Sequence, residues 1–186
     1  MAKTKRDKDT ITLGSGKLYL VEATDTMPTV DDICKDENLL GHIKGGASIE
    51  YTEETYEEKD DLGLVSKIIT TSEEALLKCG ILTWNGDTLK KLVDRCKSET
   101  KDGKRVTKIG GAGNTQGKYY VICFFHEDKA DGNLWVLIKG RNTAGLTITF
   151  AADSGTVIEP EFKAMPHDSD GTLIELIEEV PATSGT

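Results

Sequence analysis

Side chains able to catalyse a reaction or hold a metal are few in this sequence and lie far apart. The chain has three histidines, His42, His126 and His167. None of them has a second ligand or a nucleophile at a characteristic spacing. The four cysteines, which lack the close ligand pairs of structural zinc sites, are Cys34, Cys79, Cys96 and Cys123. We therefore predict reduced, mostly buried thiols, no catalytic residues and no bound metal or cofactor.

Two short segments imitate ligand-binding loops. Residues 112–119 resemble a phosphate-binding P-loop, but Ala112 replaces its first glycine and Tyr119 replaces its Ser or Thr. A strand, not the required helix, is expected to follow. Residues 168–171 begin like a calcium loop but lack the bidentate glutamate at the EF-hand spacing. We interpret the first segment as a flexible loop and the second as a β-turn.

Length and charge narrow the possible functions. The chain has 186 residues, enough for one compact domain. It carries 23 Lys and Arg residues against 32 Asp and Glu, and its net charge of −9 disfavours binding to nucleic-acid phosphates. No apolar run approaches the roughly 20 residues that span a bilayer, and the polar N-terminus lacks a signal sequence, so we expect synthesis in the cytoplasm. We expect one domain over residues 14–180, between a flexible arm at 1–13 and a flexible tail at 181–186.

Hydrophobic patterning predicts an antiparallel β domain with one helix. The predicted strands are residues 17–23, 47–52, 55–59, 64–70, 74–83, 118–126, 134–139, 146–150, 156–164 and 172–178. Residues 24–37 and 98–117 are predicted as loops, the second with a short edge strand at 106–109. The helix follows Asn85, a good N-cap. Its apolar stripe, at helical spacing, consists of Leu89, Leu92, Val93 and Cys96.

This stripe requires a sheet to cover, which favours a β-sandwich flanked by the helix. We expect Trp84 and the four stripe residues to form the structural core beside a long hairpin. The hairpin turns at residues 60–63 and has a charged tip. Its acids are Glu50, Glu53, Glu54, Glu57, Glu58, Asp60 and Asp61. Such a run is either a solvated face or, because it lies on strands, an interaction surface.

Several blocks of the sequence together resemble one family. They are residues 41–52 (GHIKGGASIEYT), the acidic hairpin ending Lys59-Asp60-Asp61, and residues 79–85 (CGILTWN) leading into 89–92. The pattern continues through residues 145–150, 157–164 and 170–173. Over about residues 14–179 the sequence resembles the tail tube (major tail) proteins of bacteriophages.

The resemblance implies a mainly β, antiparallel β-sandwich with one flanking α-helix and a long β-hairpin. Six subunits would form a ring, their strands would join one β-barrel around a lumen, and the rings would stack into a hollow tube in the virion tail. The hairpin at residues 50–70 would contact neighbouring subunits, and residues 1–13 and 98–117 are further contact candidates. The implied hairpin contact residues are Glu50, Tyr51, Glu53, Tyr56, Glu57, Glu58, Lys59, Asp60 and Asp61.

The implied partners are further copies of this chain, a tape-measure protein, a tail-tip initiator and, if the tail is contractile, a sheath. DNA would pass through the lumen without specific binding, which an acidic surface favours. Closing six subunits into a barrel would also remove the unpaired strand edges of an open sandwich. The alternatives are the tube of a tail-like bacteriocin or of a type VI secretion system, and a monomeric β-sandwich binding or decoration module.

Overall fold

A computed structural model describes residues 6–180. Residues 1–5 of the predicted arm and the whole predicted tail, residues 181–186, lie outside the described residues. The prediction of a mainly β, antiparallel domain is confirmed. No helix in residues 6–180 has the length and apolar character needed to cross a membrane.

Ten strands and two short helices make up the described part of the chain. The strands are β1 (Lys17–Glu22), β2 (Leu39–Gly41), β3 (Ile43–Lys59), β4 (Ser66–Ile81), β5 (Cys96–Lys101), β6 (Lys104–Ile109), β7 (Tyr120–His126), β8 (Leu134–Asn142), β9 (Glu161–Met165) and β10 (Glu175–Glu178). The helices are α1 (Val30–Ile33) and α2 (Gly86–Leu92). One large sheet has the order β2-β1-β7-β8-β9-β4-β3, with β10 also paired to β8, and β5 and β6 form a separate hairpin.

The large sheet has an apolar core on each of its faces, because successive side chains of a strand point to opposite sides. Leu18 and Leu20 of β1 belong to the main core, which also receives α2 and β4. Tyr19 between them belongs to a second core, which Ile33 of α1 covers. Strands β1, β7 and β8 are therefore covered on both faces, as the nearly continuous apolar run at residues 118–126 predicts.

The large sheet curves around the main core. Strands β2 and β3 lie at opposite ends of the strand order, yet only His42 separates them in the chain. The backbone N–H of His42 donates to the Thr83 hydroxyl at 2.7 Å, and its carbonyl accepts from the Leu82 N–H at 2.8 Å. These bonds hold the connection against the end of β4. The two edge strands do not pair with each other in the described residues, so the sheet is not a closed barrel.

Helix α2 begins where the sequence predicts but ends earlier. The Asn85 side chain accepts hydrogen bonds from the Asp87 and Thr88 N–H groups at 2.8 and 3.2 Å, which caps the first turn. The helix ends at Leu92, whose carbonyl accepts from the side chain of Asn142 at 3.0 Å. The prediction that the helix continues to Cys96 is wrong, because the last carbonyls find side-chain partners and the chain then becomes extended.

Both predicted loops contain regular structure. Residues 24–37 include α1, which Thr29 caps, and the first two residues of a 3-10 turn at Asp36–Asn38. Residues 98–117 include most of the β5–β6 hairpin, whose strands are too rich in Lys and Thr to show a clear apolar alternation.

The C-terminal strands are shorter than predicted. Residues 146–150 form no strand, although Leu146 and Ile148 pack against the main core. Alternation predicts the partial burial of these two residues but not a backbone partner, and Phe150, which continues the alternation, is exposed. Strand β9 starts only after Pro160, which has no N–H to donate to a ladder. Before it, Ile158 makes a single bridge to Ile81.

The contact between β8 and β9 leaves no space for a side chain at Gly140. A Cβ there would lie 2.0 Å from the Lys163 carbonyl oxygen, so β9 would have to move. We expect Gly140→Ala to lower the free energy of unfolding by about 1–3 kcal/mol, as overpacking does. Gly113→Ala is the matched control, since no atom lies within 4 Å of its added Cβ. Urea unfolding followed by circular dichroism measures both, and equal midpoints would contradict the β8–β9 packing.

Candidate functional site

The hairpin of β3 and β4 extends well beyond the body of the domain. Strand β9 pairs with β4 only at Leu76–Lys78. Within residues 6–180, the outer edge of the 17-residue strand β3 has no strand partner. All residues from 49 to 73 are exposed on a two-stranded ribbon, which we call the distal ribbon. Its two edges therefore present backbone N–H and C=O groups that another strand could pair with.

One face of the distal ribbon carries a tyrosine between two glutamates. Glu53 and Glu73 are direct cross-strand partners, and like charges in that position repel. The Tyr51 hydroxyl lies 2.8 Å from Glu53 Oε1 and 2.7 Å from Glu73 Oε1. Its single proton is shared between the two carboxylates, which links the strands. Hydrogen bonding to Glu73 and then to Glu53 raises the pKa of Tyr51 well above its usual range.

On the opposite face, acids are also held by hydroxyl groups. The Tyr56 hydroxyl donates to Glu58, and the Ser72 hydroxyl donates to Glu54 at 2.9 Å. Thr71 is the extra residue of a β-bulge, and its hydroxyl donates to the Glu54 carbonyl at 3.1 Å. A bulge bends a strand and increases its twist. The bulge therefore sets the direction in which the outer half of the ribbon points.

The distal ribbon concentrates the negative charge of the chain. Residues 49–73 contain eight acidic residues and two lysines, so they carry six of the nine net negative charges. Lys59 pairs with Glu57 at 2.9 Å on the same strand. Lys78, outside the ribbon, pairs with Glu50 at 2.9 Å. Hydroxyl groups hold Glu53, Glu54, Glu58 and Glu73 without neutralising them, so the ribbon keeps a negative potential.

The turn at the end of the ribbon is well defined and apolar. The Asp60 carboxylate accepts from the N–H groups of Val65 at 2.7 Å and Leu62 at 3.3 Å. The bond from Val65 is the main cause that lowers the pKa of Asp60. Five large apolar side chains lie at or near this turn and are exposed: Leu62, Leu64, Val65, Ile68 and Ile69. We call them the apolar tip.

The end of the hairpin carries the predicted charged residues and, in addition, an apolar cluster that we did not predict. Asp60 and Asp61 are present, but Leu62 and Leu64 project from the turn with 79% and 78% of their surface exposed. Exposed apolar side chains that cluster on a protein surface mark a contact surface. The signal was present in the sequence, as five large aliphatic residues within eight positions around a turn.

The nine predicted hairpin residues all lie on the distal ribbon or its turn and are all exposed. They are Glu50, Tyr51, Glu53, Tyr56, Glu57, Glu58, Lys59, Asp60 and Asp61. The five predicted packing residues lie inside the domain. Leu89, Leu92 and Cys96 are buried in the main core, and Trp84 and Val93 pack against it.

The predicted N-terminal arm is attached to the domain at Arg6. This side chain is only 8% exposed. Its guanidinium donates to the Gly132 carbonyl at 3.2 Å and pairs with Glu178 at 3.4 Å. Its backbone N–H donates to the Glu179 carbonyl at 2.9 Å. The described part of the arm thus starts beside β10, not at a distance from the domain.

Residues 6–180 contain no group of three His, Cys, Asp or Glu side chains that could hold a metal ion. Models of known protein families give no match to this sequence, and neither do curated proteins. The function therefore has to be inferred from the distal ribbon and the apolar tip.

The Tyr51 contact can be tested by titration. Glu73→Gln replaces the main carboxylate partner, so we expect the pKa of Tyr51 to fall toward the ordinary value near 10. The Tyr51 hydroxyl can donate a hydrogen bond only while it is protonated. In the natural chain the hydrogen bonding to Glu53 and Glu73 is therefore fully present below about pH 10, and it is lost as the pH rises through the raised pKa of Tyr51. The ring-carbon NMR shift of Tyr51 against pH measures this. Glu58→Gln, on the opposite face, should leave the titration unchanged, and an effect as large as that of Glu73→Gln would contradict the assignment.

Proposed function

We propose that this protein is a structural subunit that self-assembles into stacked hexameric rings, and that these form the hollow tail tube of a bacteriophage. The observation that carries the proposal is the distal ribbon, which has two unpaired edges and an apolar tip outside the domain. In this proposal the curved sheet and its flanking helix α2 correspond to the β-sandwich and helix that the resemblance to tail tube proteins implies. Strands of neighbouring subunits join it into one barrel around the lumen.

The unpaired edges favour association with further copies of the chain. A two-stranded hairpin is marginally stable in water by itself, yet this one has 25 exposed residues, from 49 to 73. Pairing of one ribbon with a strand of the next subunit would satisfy its backbone groups. A closed ring provides such a partner to every copy and leaves no free end.

The apolar tip favours a second contact at the far end of the ribbon. Each large aliphatic side chain contributes about 1.5–3 kcal/mol when it is fully buried. Contact of the tip with the neighbouring ring would bury these residues and connect successive rings. Glu50, Glu53, Glu54 and Glu73 lie between the tip and the domain, so they can remain hydrated while the tip is buried. The other four acids lie at the turn or next to it and would come close to such a contact.

The charge of the ribbon suits a conduit for DNA. Six net negative charges on each ribbon would repel phosphates if the ribbons line the lumen, so DNA would move without specific binding. We accordingly propose a location in the virion tail after synthesis in the host cytoplasm. The further partners are a tape-measure protein, a tail-tip initiator and, for a contractile tail, a sheath. The protein has no catalytic role in this proposal.

One alternative rests on the same observation. A projecting hairpin with an apolar tip could dock a monomer onto a different protein, as a binding or decoration module does. The tube of a bacteriocin or of a type VI secretion system differs from a phage tail tube in cargo, not in assembly. Assembly therefore separates the first alternative from the proposal.

The assembly test uses sedimentation velocity and negative-stain electron microscopy over a concentration series, with and without a tail-tip complex. We expect six-fold rings or hollow filaments. The double variant Leu62→Ser/Leu64→Ser should need at least about a tenfold higher concentration to assemble, since 1.4 kcal/mol changes an equilibrium tenfold. Phe150→Ser is the control, because Phe150 is 82% exposed and lies outside the ribbon. A chain that stays monomeric with tip complex present would refute the tube.

The acids of the ribbon should slow assembly. Glu57 and Glu58 lie on β3 near the turn, where their charges oppose the approach of a second ribbon. We expect Glu57→Thr/Glu58→Thr to polymerise faster than the natural chain in low salt, with a smaller difference in high salt because of screening. Light scattering after dilution measures the rate. Glu37→Thr/Glu99→Thr also removes two exposed acids, both outside the ribbon, and serves as the charge-matched control. Equal rates for all three proteins would rule out this role.

A further inference from the structure

Two cysteine sulfurs approach each other in the second core, on the face of the large sheet that is opposite the main core. Cys34 Sγ lies 3.9 Å from Cys123 Sγ, although the two residues are 89 positions apart. Cys34 follows α1 and is partly exposed, while Cys123 is fully buried in β7. Both belong to the second core. Cys79 and Cys96 are in the main core, on the other face of the sheet.

The surroundings allow the two sulfurs to come closer. A disulfide has an S–S bond of about 2.05 Å, so the sulfurs would have to approach by about 1.9 Å. Strand β7 is paired along both edges, with β1 and with β8, and cannot shift easily. Residues 23–38 contain only the one-turn helix α1 and a 3-10 turn, and no strand of the sheet. The movement therefore falls on Cys34.

We propose that Cys34 and Cys123 form a dithiol–disulfide couple whose oxidant is a small disulfide such as oxidised glutathione. The bond would fasten residues 23–38 to the central strand β7. This inference goes beyond the proposed function and does not depend on it. A protein that folds in a reducing cytoplasm and later leaves it would acquire such a bond only after leaving.

The reaction is a two-step thiol–disulfide exchange. The Cys34 thiolate attacks one sulfur of oxidised glutathione, forms a mixed disulfide and releases one glutathione thiolate. The Cys123 thiolate then attacks Cys34 Sγ within the mixed disulfide and releases the second glutathione. Two protons pass from the protein thiols to the released thiolates. The protein is oxidised by two electrons, and one oxidised glutathione becomes two reduced molecules.

Burial determines the order and the rate of these steps. Only Cys34 is accessible to a glutathione molecule, and the second attack is intramolecular and needs no access from solvent. Burial raises the pKa of the Cys34 thiol, although hydrogen bonds from Cys123 and Trp135 oppose this effect. Burial also raises the pKa of Cys123. The thiolate is the nucleophile, so the exchange should be slow at neutral pH and faster as pH rises.

The test equilibrates the full-length reduced protein with glutathione buffers from reducing to oxidising. After acid quenching, the protein is unfolded, alkylated with a maleimide and weighed by mass spectrometry. We expect two of the four thiols to be lost together and a non-reduced peptide map to link Cys34 with Cys123. Cys34→Ser should lose this link. Cys79→Ala should keep it, because Cys79 lies in the main core.

Thermal unfolding gives an independent readout. The bond closes a loop of almost 90 residues, so oxidation should raise the Tm of the natural chain by roughly 5–10 °C. Cys34→Ser, whose altered side chain is partly exposed, should fold and show the same Tm in both buffers. The proposal is overturned if all four thiols persist in oxidising buffer. It is also overturned if Cys34 carries only a mixed disulfide with glutathione and no linked peptide forms.

Discussion

Each strand of a sheet has backbone N–H and C=O groups along both edges. The structure of this protein depends on which of these edges are hydrogen-bonded to a neighbouring strand and which are left unpaired. Within residues 6–180, β1, β7, β8 and β9 have a partner along both edges, whereas β2, β5, β6 and β10 each have a partner along one edge. Strand β8 is the clearest case, since β7 covers one edge while β10 and β9 share the other. The pairing stops at β3 and at the outer half of β4, where the chain nevertheless remains extended as far as the turn. A buried backbone group without a partner is costly, whereas an exposed one is available to another chain. With the 17-residue strand β3, the distal ribbon is thus the longest exposed part of the sheet that a second molecule can pair with.

Two opposing forces act on that ribbon. Its apolar tip favours contact, and its negative charge opposes the approach of another ribbon. The electrostatic term is screened over about 8–10 Å at ordinary ionic strength, while burial of aliphatic side chains is insensitive to such screening. Association would therefore be limited by charge at long range and stabilised by apolar contact at short range. The hydroxyl groups of Tyr51, Tyr56 and Ser72 hold acids in place without neutralising them, so the opposition persists once the hairpin has folded.

The sequence predicts those parts of the fold in which a local pattern of residues is compatible with a single structure. The alternation at residues 47–52, 55–59 and 64–70 predicts the long hairpin, and Asn85 predicts the start of α2. The separately predicted strand at 74–83 proves to be the continuation of the second hairpin strand in β4. A hydrophobic pattern predicts the wrong structure where it fits two different structures equally well. Leu89, Leu92, Val93 and Cys96 fit one helix face, but the same residues reach the main core from a helix end, a cap and the first position of β5. Leu146 and Ile148 show that alternation reports burial, while a strand also needs a partner supplied by distant residues. The apolar tip could have been found from composition alone, whereas the approach of Cys34 to Cys123 depends on the register of the whole sheet.

The distal ribbon and the cysteine pair, on which the two proposals rest, are connected to different cores of the domain. Strand β4 enters the main core through Leu77 and Ile81 and continues outward as the ribbon. A force applied to the ribbon is therefore transmitted first into the main core, where α2 packs. The second core holds the cysteine pair and receives no residue of β4 among the described part of the chain. A disulfide bond between Cys34 and Cys123 would stabilise the domain on the face opposite the main core. It would leave the edges of the distal ribbon unchanged. The stability that such a bond would add and the proposed assembly would therefore vary independently, because different faces of one sheet provide them.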